Sequence, residues 1–524
     1  GGPTTYVGGG GAGGRIAVHL VQNVTNTAVM PMLTTTTKTF GAYKSSSTCG
    51  GGAAGTIFYR HGVWTVLRID NNNSPAADST FTPLPLQLTK SSGSVWYEKS
   101  VVWTEIKQKC RLMMRGAAGT GTPFDSFIFS LDSTSIINGA KINIHSHKAT
   151  ITGDITGTTS IGLKSSESAW PVPSTADASA KSTFTLESAC KLTCSACSIT
   201  MKVDGIVSLK GDTTSGTLSI ESGENMITDS TSVIQCTTSL LTLRSARAVV
   251  NIAGTVQASA TSAIVNVTAA IEVVVSASGS IFCTGDSCSV HVSSGTNTKF
   301  PVSGSIKATG YLASIVINTK KYLSMQGTSM LQAGNIKITA ANMTVASGAK
   351  IDSDGLGYKE ATGTGKPGTT TFMYSPYAES SNSGGGAGFG GDGGNSCHKG
   401  DYAYGYPSGG TSYGSATWPV DYGSGGGLAY YYNAARANTG GAGGGRLHLS
   451  ITGDLEMIGT ITANGKNGVV NNGYSGGGGS GGSILIEANT MTGSGTIQAN
   501  GGGPTTYVGG GGAGGRIAVH WWAP

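Results

Sequence analysis

The chain has 524 residues, of which 84 are Gly, and only 33 basic and 27 acidic residues, a net charge of +6. Charged residues make up 11% and apolar residues 38% of it, which sets it apart from highly charged disordered chains and leaves material for a core. The charge forms no basic run, which argues against a nucleic-acid partner, and apolar stretches such as AIEVVVSA are far short of a membrane span.

The chain opens on Gly1 with neither an initiator Met nor a signal segment, and reads as a mature product or a window of something longer. Residues 1–60 carry alternating strands and Gly-rich loops that continue a preceding unit. Residues 61–130, with VWTVLRI, FTPLPLQLT and SVWYEKSVVW, are β in pattern but fit no regular period, as expected of a cap or side module.

From 131 to 355 a regular pattern sets in. Pairs of inward residues at i and i+2 recur as Leu192/Cys194, Leu218/Ile220, Leu241/Leu243, Val265/Val267, Val290/Val292, Ile315/Ile317 and Ile336/Ile338, stepping by 26, 23, 24, 25, 25 and 21. A Gly before a short apolar strand recurs at Gly205, Gly254, Gly279, Gly304, Gly327 and Gly348 with a similar period. Thr, Val, Ser and Ile dominate and the apolar period is 2, which excludes helix. Three short strands per unit bury nothing alone, so neighbouring units must stack. The predicted fold is all-β, a right-handed parallel β-helix (β-solenoid) with long Gly/Tyr-rich loop insertions.

Residues 356–444 keep neither rhythm. SSNSGGGAGFGGDGGNS, YGYPSGG and LAYYYNAAR form a Gly/Tyr-rich insertion that either shields the rod in solvent or, through its tyrosines and Trp418, makes lateral filament or glycan contacts. Rungs resume over 445–524 and end in a copy of residues 1–19: GGPTTYVGGGGAGGRIAVH stands at 1–19 and again at 502–520. Nineteen identities in a row exceed repeat divergence and imply a long duplication or an overlap between successive units, although WWAP and LVQN then diverge. Arg15, Ile16 and Val18 at one end and Arg516, Ile517 and Val519 at the other are the expected assembly ends, since an open solenoid end invites head-to-tail stacking.

Nine Cys leave at least one without an intrachain partner. Cys190, Cys194, Cys197, Cys283 and Cys288 form a candidate disulfide cluster; the C-x3-C-x2-C run lacks a fourth metal ligand, so neither metal nor cofactor is expected. Sequons stand at Asn23, Asn72, Asn266 and Asn342, the last two beside inward residues and hence facing solvent. Lys350, Asp352 and Asp354, and the pair His145/His147, are the nearest approach to a catalytic cluster, and each reads more simply as a solvated face.

These rungs resemble the pectin-lyase-like right-handed β-helix class, and GGGAGGRIAV, GTITANG and YGSGGG are similar to the large Gly-rich surface and fibre proteins of protists, flagellar-hair (mastigoneme-type) components among them. The resemblance carries no catalytic residues. It implies an extracellular, glycosylated structural protein. With no catalytic constellation in view the chain is not expected to be an enzyme, and its open ends predict a head-to-tail homopolymer; the alternatives are an adhesin with its specificity in 356–444, and behind it a polysaccharide-active enzyme.

Overall fold

A computed structural model describes residues 191–521, apart from 204, 239, 296–298, 369–382, 397–406, 432–433, 437–438, 472–473 and 506–508. Upstream it describes only strand segments between Arg15 and Leu186. Every regular element among the described residues is a β-strand. The chain divides into two compact units, Gly1–Thr255 and Val256–Pro524.

In the second unit each turn of chain contributes one strand to each of three parallel sheets. The first sheet runs through Ile264–Ala269, Ser289–Ser294, Ser314–Thr319, Asn335–Ala340, Arg446–Ile451, Ser483–Ala488 and Arg516–Trp521. The second contains Lys299–Val302, Tyr322–Met325, Asn342–Val345, Asp454–Met457 and Thr490–Thr492. The third contains Ser280–Thr284, Ser305–Thr309, Met330–Gln332, Lys350–Asp352, Thr460–Thr462 and Thr496–Gln498. This is the right-handed parallel β-helix that the periodicity predicts.

Alternation decides what is buried. Val265, Val290, Ile315, Ile336, Leu447 and Ile484 stack in register, as do Val267, Val292, Ile317, Ile338, Leu449 and Ile486; nearly all are fully buried. β-Branched residues suit this column because their restricted χ1 packs well on a pleated surface. Gly327 and Gly348, at φ 56° and 83°, turn the chain between the second and third strands in a conformation that a Cβ would strain.

The first unit uses the same scheme with longer strands. Ile136–His145, Asp154–Ser165, Lys191–Val203 and Asp212–Ser222 are parallel neighbours that each serve two faces, and Asp212–Ser222 then pairs with both Val233–Cys236 and Leu240–Ser245. The register corrects one sequence assignment. Ile142/Ile144, Ile161/Leu163 and Leu218/Ile220 align with Ile199/Met201, whereas Leu192/Cys194 aligns with Thr213/Ser215 on the other face. Leu192, Ile199 and Met201 are all buried, so spacing alone selects the wrong pair.

Nearer the start, Arg15–Leu20 lies parallel to Thr56–His61, which turns back as an antiparallel hairpin with Trp64–Asp70.

Candidate functional site: a glycine lattice beside an open coil

Three successive coils open at the same corner. After Lys350–Asp352, Thr460–Thr462 and Thr496–Gln498 the chain turns through Ser353-Asp354-Gly355, Ala463-Asn464-Gly465 and Ala499-Asn500-Gly501, then runs through Gly-rich sequence before re-entering the first sheet. A side-chain ladder fixes the corner. Asp354 Oδ1 accepts the backbone N–H of Asn464 at 2.6 Å, and Asn464 Oδ1 that of Asn500 at 2.7 Å.

The Gly-rich segments are packed, not loose. Residues 383–389, 423–426, 441–445 and 475–486 are buried although they belong to no helix, and only the last of these runs touches strands, at Ser475 and from Ser483 on. A buried backbone must place its N–H and C=O groups. In 477–482 successive donors rotate among three neighbours: Gly477 and Ser480 donate to Gly427 and Ser424, Gly478 and Gly481 to Gly510 and Ala513, and Gly479 and Gly482 to Lys466 and Ala463. Its carbonyls accept from Gly441 and Gly444, from Ala387 and from Gly502, with Gly384 donating to Ser475 just upstream.

Thus, among the described residues, six segments surround this one, and five of them contact it at positions three apart. A three-residue period without internal hydrogen bonds is that of polyproline II. Here the segments bond to each other in place of solvent. Close approach requires glycine: a Cβ on Gly477 would overlap Gly385 O, and one on Gly479 would overlap Ala442 O.

A strap over 411–422 ties the lattice to the outer face of the first sheet. Arg516 Nε donates to Tyr413 O at 3.0 Å, Ser483 Oγ to Asp421 O at 2.5 Å and Arg446 Nη1 to Val420 O at 3.2 Å. Arg446 also lies 4.6 Å over the Tyr422 ring, and Tyr422 packs edge-on to Tyr358. The Tyr413 hydroxyl donates to Tyr422 O and lies 2.8 Å from Ser424 Oγ; burial pushes its pKa up to about 12. Tyr413 and Tyr422 are therefore structural members of the strap, while Trp418, 46% exposed, faces outward beside His448 and His520.

The expected assembly residues divide by parity. Arg516 points outward and holds the strap, whereas Ile517 and Val519 continue the inward columns of Ile484 and Ile486. Ile517 is 44% exposed and Trp521 64%, because among the described residues no strand lies beyond Arg516–Trp521. Arg15, Ile16 and Val18 occupy the strand paired with Thr56–His61, and their side chains lie outside the described residues.

Cys283 and Cys288 form a disulfide across a corner, with Cα atoms 6.0 Å apart. Adjacent coils place Ala258/Ala263 and Ala308/Ala313 at the same corner, all buried. Cys236 is a buried free thiol. Cys190 and the side chains of Cys194 and Cys197 lie outside the described residues, as do Asn23 and Asn72. Asn266 is half-buried between the sealed Val265 and Val267; Asn342 Oδ1 accepts the Asp454 N–H at 2.8 Å.

The carboxylates of the Lys350 cluster are committed to the coil. Asp352, 6% exposed, accepts from Gln332 Nε2 at 3.0 Å and Thr462 Oγ1 at 3.3 Å, and Lys350 Nζ lies 3.4 Å from Asp352 and 3.5 Å from Asp354. Among the described residues no group of three His, Cys, Asp or Glu is arranged to hold a metal ion, and there is no helix long and apolar enough to cross a membrane.

No protein-family model matches the chain, and neither the curated proteins nor the solved structures compared with it contain a match.

Proposed function

We propose that the protein is a structural protomer of an extracellular filament or surface appendage, assembling head-to-tail by stacking one coil end on another. One observation carries this reading: the buried mass of the second unit consists of coil-to-coil ladders and a hydrogen-bonded glycine lattice, tied by the Arg516 strap. Such a backbone-bonded body resists extension along its ladders and needs no substrate to be useful. The pectin-lyase-like coil and the flagellar-hair resemblance belong to this reading, as do glycans on Asn266, Asn342, Asn23 and Asn72 and a location at the cell surface. Residues 356–444 provide lateral contacts between rods.

Negative-stain electron microscopy of the purified protein across a concentration series tests it. Thin rods that lengthen with concentration are expected; discrete particles of one size throughout would sink the reading.

An adhesin is the second reading, favoured by one feature, the exposed Trp418 beside His448 and His520 on the strap. Binding to a glycan array that Trp418→Ala abolishes would select it.

A further inference from the structure

The repeated 19-residue text occupies two positions in the coil order, and each shows a different partner. As Arg516–Trp521 it lies on Ser483–Ala488, with Arg516 opposite Ser483, Ile517 opposite Ile484 and Val519 opposite Ile486. As Arg15–Leu20 it lies against Thr56–His61, with Arg15 opposite Thr56, Ile16 opposite Ile57 and Val18 opposite Tyr59. Both pairings are parallel. In the first case the partner precedes the strand in the chain, and in the second it follows.

A strand inside a coil stack has a neighbour on each edge, as Val290 has Val265 and Ile315. Arg-Ile-Ala-Val-His shows the earlier neighbour at one end of the sequence and the later neighbour at the other. We infer that Thr56–His61 of a second copy covers Arg516–Trp521, with residues 502–520 of the first copy standing where the second copy's 1–19 would be. Ile57 would then lie opposite Ile517 and Tyr59 opposite Val519.

Three observations favour this occupant over an unrelated partner. The row to be covered is apolar, with Ile517 44% and Trp521 64% exposed. Residues 510–513 are already fixed in the lattice, with Gly510 and Ala513 donating to Gly384 and Ala387, so the first copy has nothing to rearrange. The register is specified by sequence identity and requires no new complementarity. Such a contact joins unlike ends and does not close, which is the geometry of a filament.

The inference rests on the reading of the chain as a self-assembling rod, and disulfide trapping separates the two. Register partners in adjacent strands lie about 5 Å apart, within the span of a disulfide. Full-length Ile517→Cys and Ile57→Cys proteins, mixed and oxidised, should give a covalent dimer whose bridge maps to 517 and 57 and which neither variant gives alone. Val519→Cys with Tyr59→Cys reads the same register should one variant of the first pair fail to fold. Filaments of the parent protein with neither bridge formed in the mixtures would overturn the inference and leave the rod intact. No filaments at all would overturn both.

Discussion

Ile517 lies in register on Ile484, yet Ile484 is fully buried and Ile517 is 44% exposed. The same inward position is core in one coil and surface in the next. Ile484→Ala should therefore cost about 2–5 kcal/mol by denaturant unfolding, the range for emptying a packed aliphatic site. Ile517→Ala should cost well under about 1 kcal/mol, while Ile517→Asp, harmless to the isolated chain, should shorten or abolish assemblies seen by sedimentation.

The lattice makes a prediction that no loose loop would. Gly477→Ala places a methyl group against Gly385 O, in a segment bonded to several neighbours, and should destabilise by about 1–3 kcal/mol or more. Gly511→Ala, with nothing within 4 Å of the added carbon, should change the melting temperature little. Equal effects would show that the lattice is not close-packed.

The coil was legible and the lattice was not, for the same physical reason. Inward pairs such as Val265/Val267 and Val290/Val292 announce themselves because a strand's side chains alternate every second residue. A run of glycines has no side chains to alternate, and its hydrogen bonds reach positions far away in sequence, as from Gly477 to Gly427 or Gly394 to Gly511. The available signal was the recurrence of a Gly run immediately before Arg446, Ser483 and Arg516. Spacing puts Leu192/Cys194 in the wrong column because Lys191–Val203 buries Leu192 as well as Ile199 and Met201, and spacing cannot choose between them. The parity of Arg516 separates it from Ile517, but its bond to Tyr413 O joins residues too distant for any local pattern.

Alkaline pH should loosen the strap. Burial raises the Tyr413 pKa from 10 to about 12, and burial raises that of Tyr422 as well. A folded pKa above the unfolded one means that the contribution is complete below pH 10 and is lost as pH rises towards 12. Tyrosinate absorbance should show a late-titrating component that Tyr413→Phe reduces.

Replacing Cys283 and Cys288 together by Ala reproduces the corners of the adjacent coils. The bridge closes a loop of separation 5, for which chain entropy alone gives about 2 kcal/mol. The double variant should lose no more than that, and Cys236 should react with a thiol reagent only after unfolding.

Fibre diffraction from aligned assemblies is the most direct measurement of all. If copies continue one another's coils, strands run across the fibre and the meridian carries a reflection near 4.8 Å. Assemblies with no such reflection, or with it on the equator, would contradict end-on stacking and the mechanical role built on it.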